Sequence, residues 1–94
     1  MKDLCLTDAR IFEMIQEENC RQILKNGVQE ATPFEWLAYL TEELGELSAA
    51  ISEHHYRMGL ATDVVDEAIQ VATLSAKIAE MYLAVVNSAA AKEG

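Results

Sequence analysis

The feature that most constrains this chain is its longest stretch without a helix-breaking residue. Between Asp63 and Asn87 there is neither glycine nor proline, and the apolar side chains, at 100° per residue, occupy most of a helix's circumference. A helix that is apolar on nearly every side must be buried on nearly every side. Two further helices in a 94-residue chain cannot surround it. We therefore expect the third helix to pack against partner subunits.

Local signals predict the two helices that precede it. The first begins after Thr7 and ends at residues 25–27, where Lys, Asn and Gly form a C-terminal stop signal. The second begins at residues 32–35, Thr-Pro-Phe-Glu, which combine a capping box with a proline at the first helical position. It should end near residues 57–59, and Thr62 is the predicted N-cap of the third helix.

Apolar residues at helical spacing predict the faces that these two helices bury. In the second helix they repeat at intervals of three and four, which is typical of a core stripe; its members are Leu37, Leu40, Leu44, Leu47 and Ile51. The first helix has an apolar face that also carries Asn19 and Gln22. Its apolar members are Ile11, Phe12, Ile15 and Ile23.

The predicted fold is therefore all-α, a single domain over residues 1–94 with three main helices per chain and a bundle completed by oligomerisation. Residues 88–94 are either an extension of the third helix or a frayed tail. The short chain and its apolar third helix favour a tetramer, a dimer of dimers, over a dimer.

Charge and composition exclude several classes of partner. Sixteen acidic and seven basic residues give a net charge of −9, whereas binding a nucleic-acid polymer requires a positive surface. An anionic membrane is disfavoured for the same reason, and we expect no signal peptide or membrane span. A cytoplasmic location follows, with Cys5 and Cys20 as free thiols. A phosphate compound remains a suitable partner if a cation mediates.

Two groups of acidic residues stand out from an ordinary solvated surface. Glu42, Glu43 and Glu46 share a sector about 100° wide beside the leucine stripe, with no basic residue spaced to offset their repulsion. Asp63 and Asp66 begin a polar stripe on the third helix. That stripe continues through Gln70 and Lys77.

Each group also has a simpler explanation. The glutamates could be a solvated acidic face, and acids in a first turn are favoured by the helix dipole. A polar stripe buried without partners is costly, however, and seven bases cannot neutralise sixteen acids. Carboxylates from two helices joined by a short turn suit Mg²⁺, with Mn²⁺ as a substitute.

These residues resemble the signature of the MazG-like, all-α nucleoside triphosphate pyrophosphohydrolases, EExxE followed after a gap by ExxD. Residues 42–46, Glu-Glu-Leu-Gly-Glu, match the first half, and residues 63–66, Asp-Val-Val-Asp, match the second with Asp in place of its Glu. The resemblance extends over about residues 19–81. Its wider frame comprises Arg21, Gln22, Lys25, Gly27, Gln29, Trp36 and Leu37.

The resemblance implies Mg²⁺-dependent hydrolysis of a (d)NTP to the monophosphate and pyrophosphate, in nucleotide-pool housecleaning, by a helical dimer or dimer of dimers. Carried over by position, the metal ligands are Glu43, Glu46, Asp63 and Asp66. Glu42 is then a further ligand or the base that orients water. The catalytic glutamates are thus those at 42, 43 and 46.

Further side chains are predicted to contact the substrate. Phosphate contacts are expected from Lys77, Lys25 and Arg21. Base or ribose contacts are expected from Asn19 and Gln22. Gln70 is expected to contact the sugar or a phosphate, and Trp36 to stack on the base. Two of these also have a structural role. Lys25 equally suits the negative end of a helix dipole, and a tryptophan at a helix start, such as Trp36, is more often a core residue. The alternative function is a non-catalytic helical oligomerisation or antitoxin-like interaction module.

Overall fold

The computed structural model describes residues 1–93, which form three helices and no strand. Their bounds are Arg10–Asn26 (α1), Pro33–Tyr56 (α2) and Ala61–Glu93 (α3). Over this part of the chain α3 packs against both α1 and α2, while α1 and α2 do not pack against each other. The all-α prediction is confirmed, and α3 is the central helix.

The helix ends follow the local signals in most places. Thr32 Oγ1 accepts the backbone N–H of Glu35 at 3.2 Å while the Glu35 carboxylate accepts that of Thr32 at 3.3 Å, so the predicted capping box is present. The N-cap assigned to Thr62 is wrong, because α3 already begins at Ala61. Helix α3 also continues through residues 88–93, past the predicted end; residue 94 lies outside the described residues.

The turn between α2 and α3 is tight and sets how the two helices meet. Met58 takes the left-handed backbone conformation with φ of 60°. A Cβ at Gly59 would lie 3.0 Å from the Cβ of Glu53, a tight contact that favours glycine at this close approach. His54 Nδ1 lies 2.8 Å from the carbonyl oxygen of Gly59 and ties the turn back onto α2. The start of α3 is thereby held beside α2.

The side of α2 that faces α3 differs from the predicted core stripe. Its buried or half-buried residues again recur every three or four positions, but they are Trp36, Leu40, Glu43, Leu47 and Ala50. Leu37, Leu44 and Ile51 are 55, 54 and 43% exposed, so the predicted core role is wrong for these three residues within one chain. The two stripes adjoin on the helix, and packing against α3 selects only one of them.

Helix α1 is held less deeply than its apolar pattern predicts. Phe12 and Ile23 are 54 and 41% exposed, which corrects their assignment to the core. The face toward α3 is apolar in its first half and polar in its second; its half-buried members are Ile11, Met14, Ile15, Glu18, Asn19 and Gln22.

One chain leaves much of its apolar surface in contact with solvent. Its accessible area of 7635 Å² exceeds by about 2,200 Å² the value of about 5,400 Å² expected for a compact monomer of this mass. The radius of gyration, 15.9 Å, is likewise larger than the roughly 12 Å typical of 94 residues. From residue 81 to residue 91 every side chain of α3 is exposed. Helices α1 and α2 therefore leave much of α3 exposed. This agrees with the prediction from sequence that two helices could not surround it.

Helix α3 is also long and apolar enough to cross a membrane, judged by length and composition alone. Mean hydropathy reaches 1.4 within Ala61–Ala91. One such helix is weak evidence for a membrane span, so the expectation of no span stays a prediction. Lys77 and Glu80 lie in the middle of this helix, and a charge at the centre of a bilayer costs about 2.5–3.5 kcal/mol or more. The core helix of a soluble assembly has the same composition.

Candidate functional site

Three glutamates meet where α2 and α3 face each other. Glu43 and Glu46 project from α2 and Glu67 from α3, and one carboxylate oxygen of each lies within 4.8 Å of the other two. Glu43 and Glu67 are half-buried, while Glu46 is exposed. We call these three residues the glutamate cluster.

The cluster arises because glutamates occupy core positions in two facing helices. Glu43 belongs to the stripe of α2 that lies against α3. Glu67 holds the equivalent place on α3, in a buried or half-buried stripe that also recurs every three or four residues: Val64, Glu67, Val71, Leu74 and Ile78. Two carboxylates thus stand where apolar side chains would ordinarily pack.

Among the side chains that the structure describes, no base forms an ion pair with the cluster. Burial, and then the charge of Glu46, raises the pKa of Glu43 from 4.5 to about 7. The same two causes raise the pKa of Glu67. Within the described part of the chain, the Oε2 atoms of Glu43 and Glu67 are buried and have no hydrogen-bond partner. Buried carboxylate oxygens without partners are destabilising, and a hard divalent cation would satisfy them, so the donor set fits Mg²⁺ or Mn²⁺.

The two aspartates of the predicted ligand set lie outside this group. Asp63 lines a cavity of about 330 Å³ together with Glu46 and Glu67, so it lies at the edge of the cluster. Asp66 faces the other way and lines a cavity with residues of α1, among them Arg21. Their assignment as ligands stays a prediction.

Sequence reasoning missed Glu67, although two signals could have found it. The residue is in register with the half-buried apolar residues of α3, and at the seventh position of the helix it lies beyond the first turn, where the helix dipole favours an acid. The ExxD half of the signature can also be matched one turn later, at residues 67–70, Glu-Ala-Ile-Gln. That match keeps the glutamate and has an amide, Gln70, in the place of the aspartate.

A polar cleft of about 480 Å³ adjoins the cluster and shares Glu43 with it. Its walls come from the C-terminal half of α1, the loop after it, α2 and α3. The predicted site residues on its walls are Asn19, Gln22, Trp36, Glu42, Glu43 and Lys77. Tyr39 adds a second aromatic ring, whose centroid lies 5.7 Å from that of Trp36 in an edge-to-face arrangement.

Trp36 is a core residue as well as a wall of this cleft. It is only 7% exposed, and it also lines an apolar groove of about 610 Å³ on the other side. The buried Trp36 ring fits the core role considered from the sequence. Only part of the ring is accessible for stacking on a base.

Three predicted substrate contacts do not line the cleft. Arg21 Nη2 lies 2.7 Å from Glu18 Oε2 in an ion pair on α1. Gln70 lines the same cavity as Arg21 and Asp66. Lys25 is exposed in the last turn of α1, where it complements the helix dipole. Their substrate roles stay predictions.

Comparison with protein-family models, curated proteins and solved structures finds no match to this chain. The resemblance to the MazG-like enzymes therefore depends on the motif residues, and the geometry of the cluster stands as an independent observation.

Proposed function

We propose that this protein is a nucleoside triphosphate pyrophosphohydrolase that uses Mg²⁺, or Mn²⁺ as a substitute, to release pyrophosphate and a nucleoside monophosphate. The observation that carries the proposal is the glutamate cluster, in which two buried carboxylate oxygens lack partners within the described residues. An acidic helix that only faces solvent would not place a glutamate in the stripe that packs against its neighbour. Housecleaning of the nucleotide pool is the cellular role that the resemblance implies.

The glutamates at 43, 46 and 67 would hold the cation, and Asp63, which lines a cavity with Glu46 and Glu67, would be a further ligand. The cation supplies charge neutralisation at the phosphates and makes bound water more acidic. Glu42 lines the cleft beside Glu43 and is placed to orient the attacking water as a general base.

The polar cleft is the proposed nucleotide site. Since Glu43 belongs to both the cleft and the cluster, a nucleotide in the cleft can present its phosphates to the cation. Asn19 offers an amide and Tyr39 an aromatic edge in the same cleft, which suits a base or ribose. A site that is negative without metal admits the substrate as its magnesium complex.

We also propose a soluble, cytoplasmic homo-oligomer, with a tetramer favoured over a dimer. A standard interface buries roughly 800 Å² per partner, so the excess area of about 2,200 Å² per chain suits more than one interface. The exposed leucine stripe of α2 and the apolar groove beside Trp36 are separate faces for such contacts. Nucleic-acid polymers and membranes are not proposed partners.

The direct test incubates the protein with each of the four dNTPs, with and without Mg²⁺, and identifies the products. We expect pyrophosphate and the dNMP only when Mg²⁺ is present. Glu46→Gln should abolish turnover with the helical circular dichroism unchanged, while Glu13→Gln, an exposed glutamate of α1, should retain it. Orthophosphate as the first product, or full activity of Glu46→Gln, would contradict the proposal.

The non-catalytic interaction module remains the second candidate, and the large exposed apolar surface favours it. A module of that kind would show no stabilisation by divalent cations. It would also tolerate neutralisation of Glu43 and Glu67. A thermal melt with and without Mg²⁺ therefore separates the two functions before any substrate is known.

A further inference from the structure

One hydrogen bond joins side chains of different helices in the described part of the chain. Lys77 Nζ on α3 donates to Gln22 Oε1 on α1 at 2.6 Å. The other side-chain hydrogen bonds found there join residues no more than five apart in sequence. Both partners of the bridging bond line the polar cleft.

The rest of the Gln22 amide is also engaged. Its Nε2 donates to Glu18 Oε2 at 3.0 Å, and the same carboxylate accepts from Arg21 at 2.7 Å. These contacts fix which way the amide points, with the oxygen toward the ammonium group of Lys77. An amide that is oriented in this way is not free to choose between the donor and acceptor patterns of different bases.

Among the residues that the structure describes, Lys77 is the only basic one on the walls of the cleft, where it lies with three acids, Glu42, Glu43 and Glu80. Burial lowers the pKa of Lys77, since its ammonium group has lost part of its hydration. A neutral acceptor such as Gln22 replaces that hydration without cancelling the charge, whereas a carboxylate at the same place would neutralise it.

We propose that Gln22 is a positioning residue, which holds the Lys77 ammonium group in the cleft for phosphate oxygens of the substrate, and that it does not read the base. This inference rests on the proposed function and changes the role predicted for Gln22 from sequence. Lysine has a flexible four-carbon stem, so a fixed acceptor reduces the ordering that substrate binding would otherwise require.

The kinetic test compares Gln22→Ala with Gln16→Ala, the same substitution at an exposed residue of α1. We expect Gln22→Ala to raise KM about tenfold with kcat within about threefold, by the same factor for all four dNTPs. In a Lys77→Met background the further effect of Gln22→Ala should fall below about twofold, because the two residues act as one unit. A change in the ranking of the dNTPs, or independent effects of the two substitutions, would overturn the proposal.

A second readout does not depend on turnover. The ¹³Cε signal of Lys77 reports its pKa and its surroundings by NMR in the metal-free protein and after addition of Mg²⁺ and inorganic pyrophosphate. We expect the pKa of Lys77 to be lower in Gln22→Ala than in the wild type, and pyrophosphate to shift the signal strongly only in the wild type. An unchanged pKa, or a wild-type signal that ignores pyrophosphate, would overturn the proposal even if dNTPs are hydrolysed. The expected NMR behaviour without hydrolysis would contradict the proposed function and leave the role of Gln22 standing.

Discussion

The glutamate cluster and the outer faces of α2 and α3 are incomplete in opposite ways. At the cluster, Glu43 and Glu67 occupy positions where apolar side chains would pack, and their buried oxygens lack partners within the described residues. On the outer faces, Leu37, Leu44 and Tyr82 are each more than half exposed where polar side chains would be expected. The first region lacks a counter-charge, and the second lacks a partner surface that would bury its apolar side chains.

This difference assigns a separate partner to each region. A cation satisfies carboxylates and does nothing for leucine, while a second protein surface buries leucine and would make bare carboxylates costlier. We therefore expect substitutions in the two regions to separate metal-dependent properties from concentration-dependent ones.

Among the substitutions that separate the two regions, the largest effect is expected from Glu43→Gln. Loss of this carboxylate should lower kcat/KM for dNTP hydrolysis at least about a hundredfold, since it removes a ligand from the cation that stabilises the transition state. In metal-free protein at pH 8 the same change should raise the melting temperature, because a half-buried negative charge has been removed. Steady-state kinetics and calorimetry measure the two effects. Retained activity of Glu43→Gln would contradict the assignment of metal-dependent properties to the glutamate cluster.

The next largest effect is expected on assembly, from Val85→Asp, since Val85 lines the apolar groove. A charge placed in a buried apolar contact should weaken association at least about tenfold and shift the mass in light scattering toward the 10.4 kDa of one chain. Asn87→Asp adds the same charge at an exposed polar residue of α3 and serves as the control. A wild-type chain that is monomeric at high concentration would contradict the proposed assembly.

The pH dependence of stability should report the cluster alone. Glu43 has a pKa of about 7 in the folded chain and an ordinary value near 4.5 when unfolded. Between these values the folded state keeps a proton that the unfolded state releases, so rising pH favours unfolding. With EDTA and at fixed protein concentration, the melting temperature should fall from pH 5 to pH 7, and Mg²⁺ should oppose the fall. The slope should flatten in Glu43→Gln. A wild-type melting temperature that rises over this interval would contradict the raised pKa.

The smallest effect is expected at the turn between the two helices. Met58 is 93% exposed and has a φ of 60°, a conformation that costs most residues about 1–2 kcal/mol but costs glycine little. Met58→Gly should stabilise the chain by up to about 1 kcal/mol in urea unfolding, with mass and metal binding unchanged. Destabilisation by this variant would show that the turn is not strained.

Local signals predicted the helices well, because they involve residues next to each other in sequence. The capping box at Thr32 and the stop at Gly27 are both present in the structure. Packing was harder to predict. The apolar residues of α2 form two adjoining stripes, and only the position of α3 decides that Leu40 is half-buried while Leu44 is exposed.

The same limit explains the candidate site. Glu43 and Glu46 could be selected from their motif, but the choice of partner on α3 depends on which side of that helix faces α2. Asp66 points toward α1, whereas Glu67 points toward Glu43. Neighbouring residues of a helix project in directions about 100° apart, so a shift of one residue changes which helix a side chain faces.

The most direct test of the central claim is calorimetric titration of the metal-free protein with Mg²⁺ at pH 7.5, for the wild type, Glu67→Gln and Asp66→Asn. We predict binding by the wild type, an affinity at least about tenfold weaker for Glu67→Gln, and a change of less than about threefold for Asp66→Asn. Wild-type affinity in Glu67→Gln together with loss of binding in Asp66→Asn would contradict the assignment of the cation to the glutamate cluster.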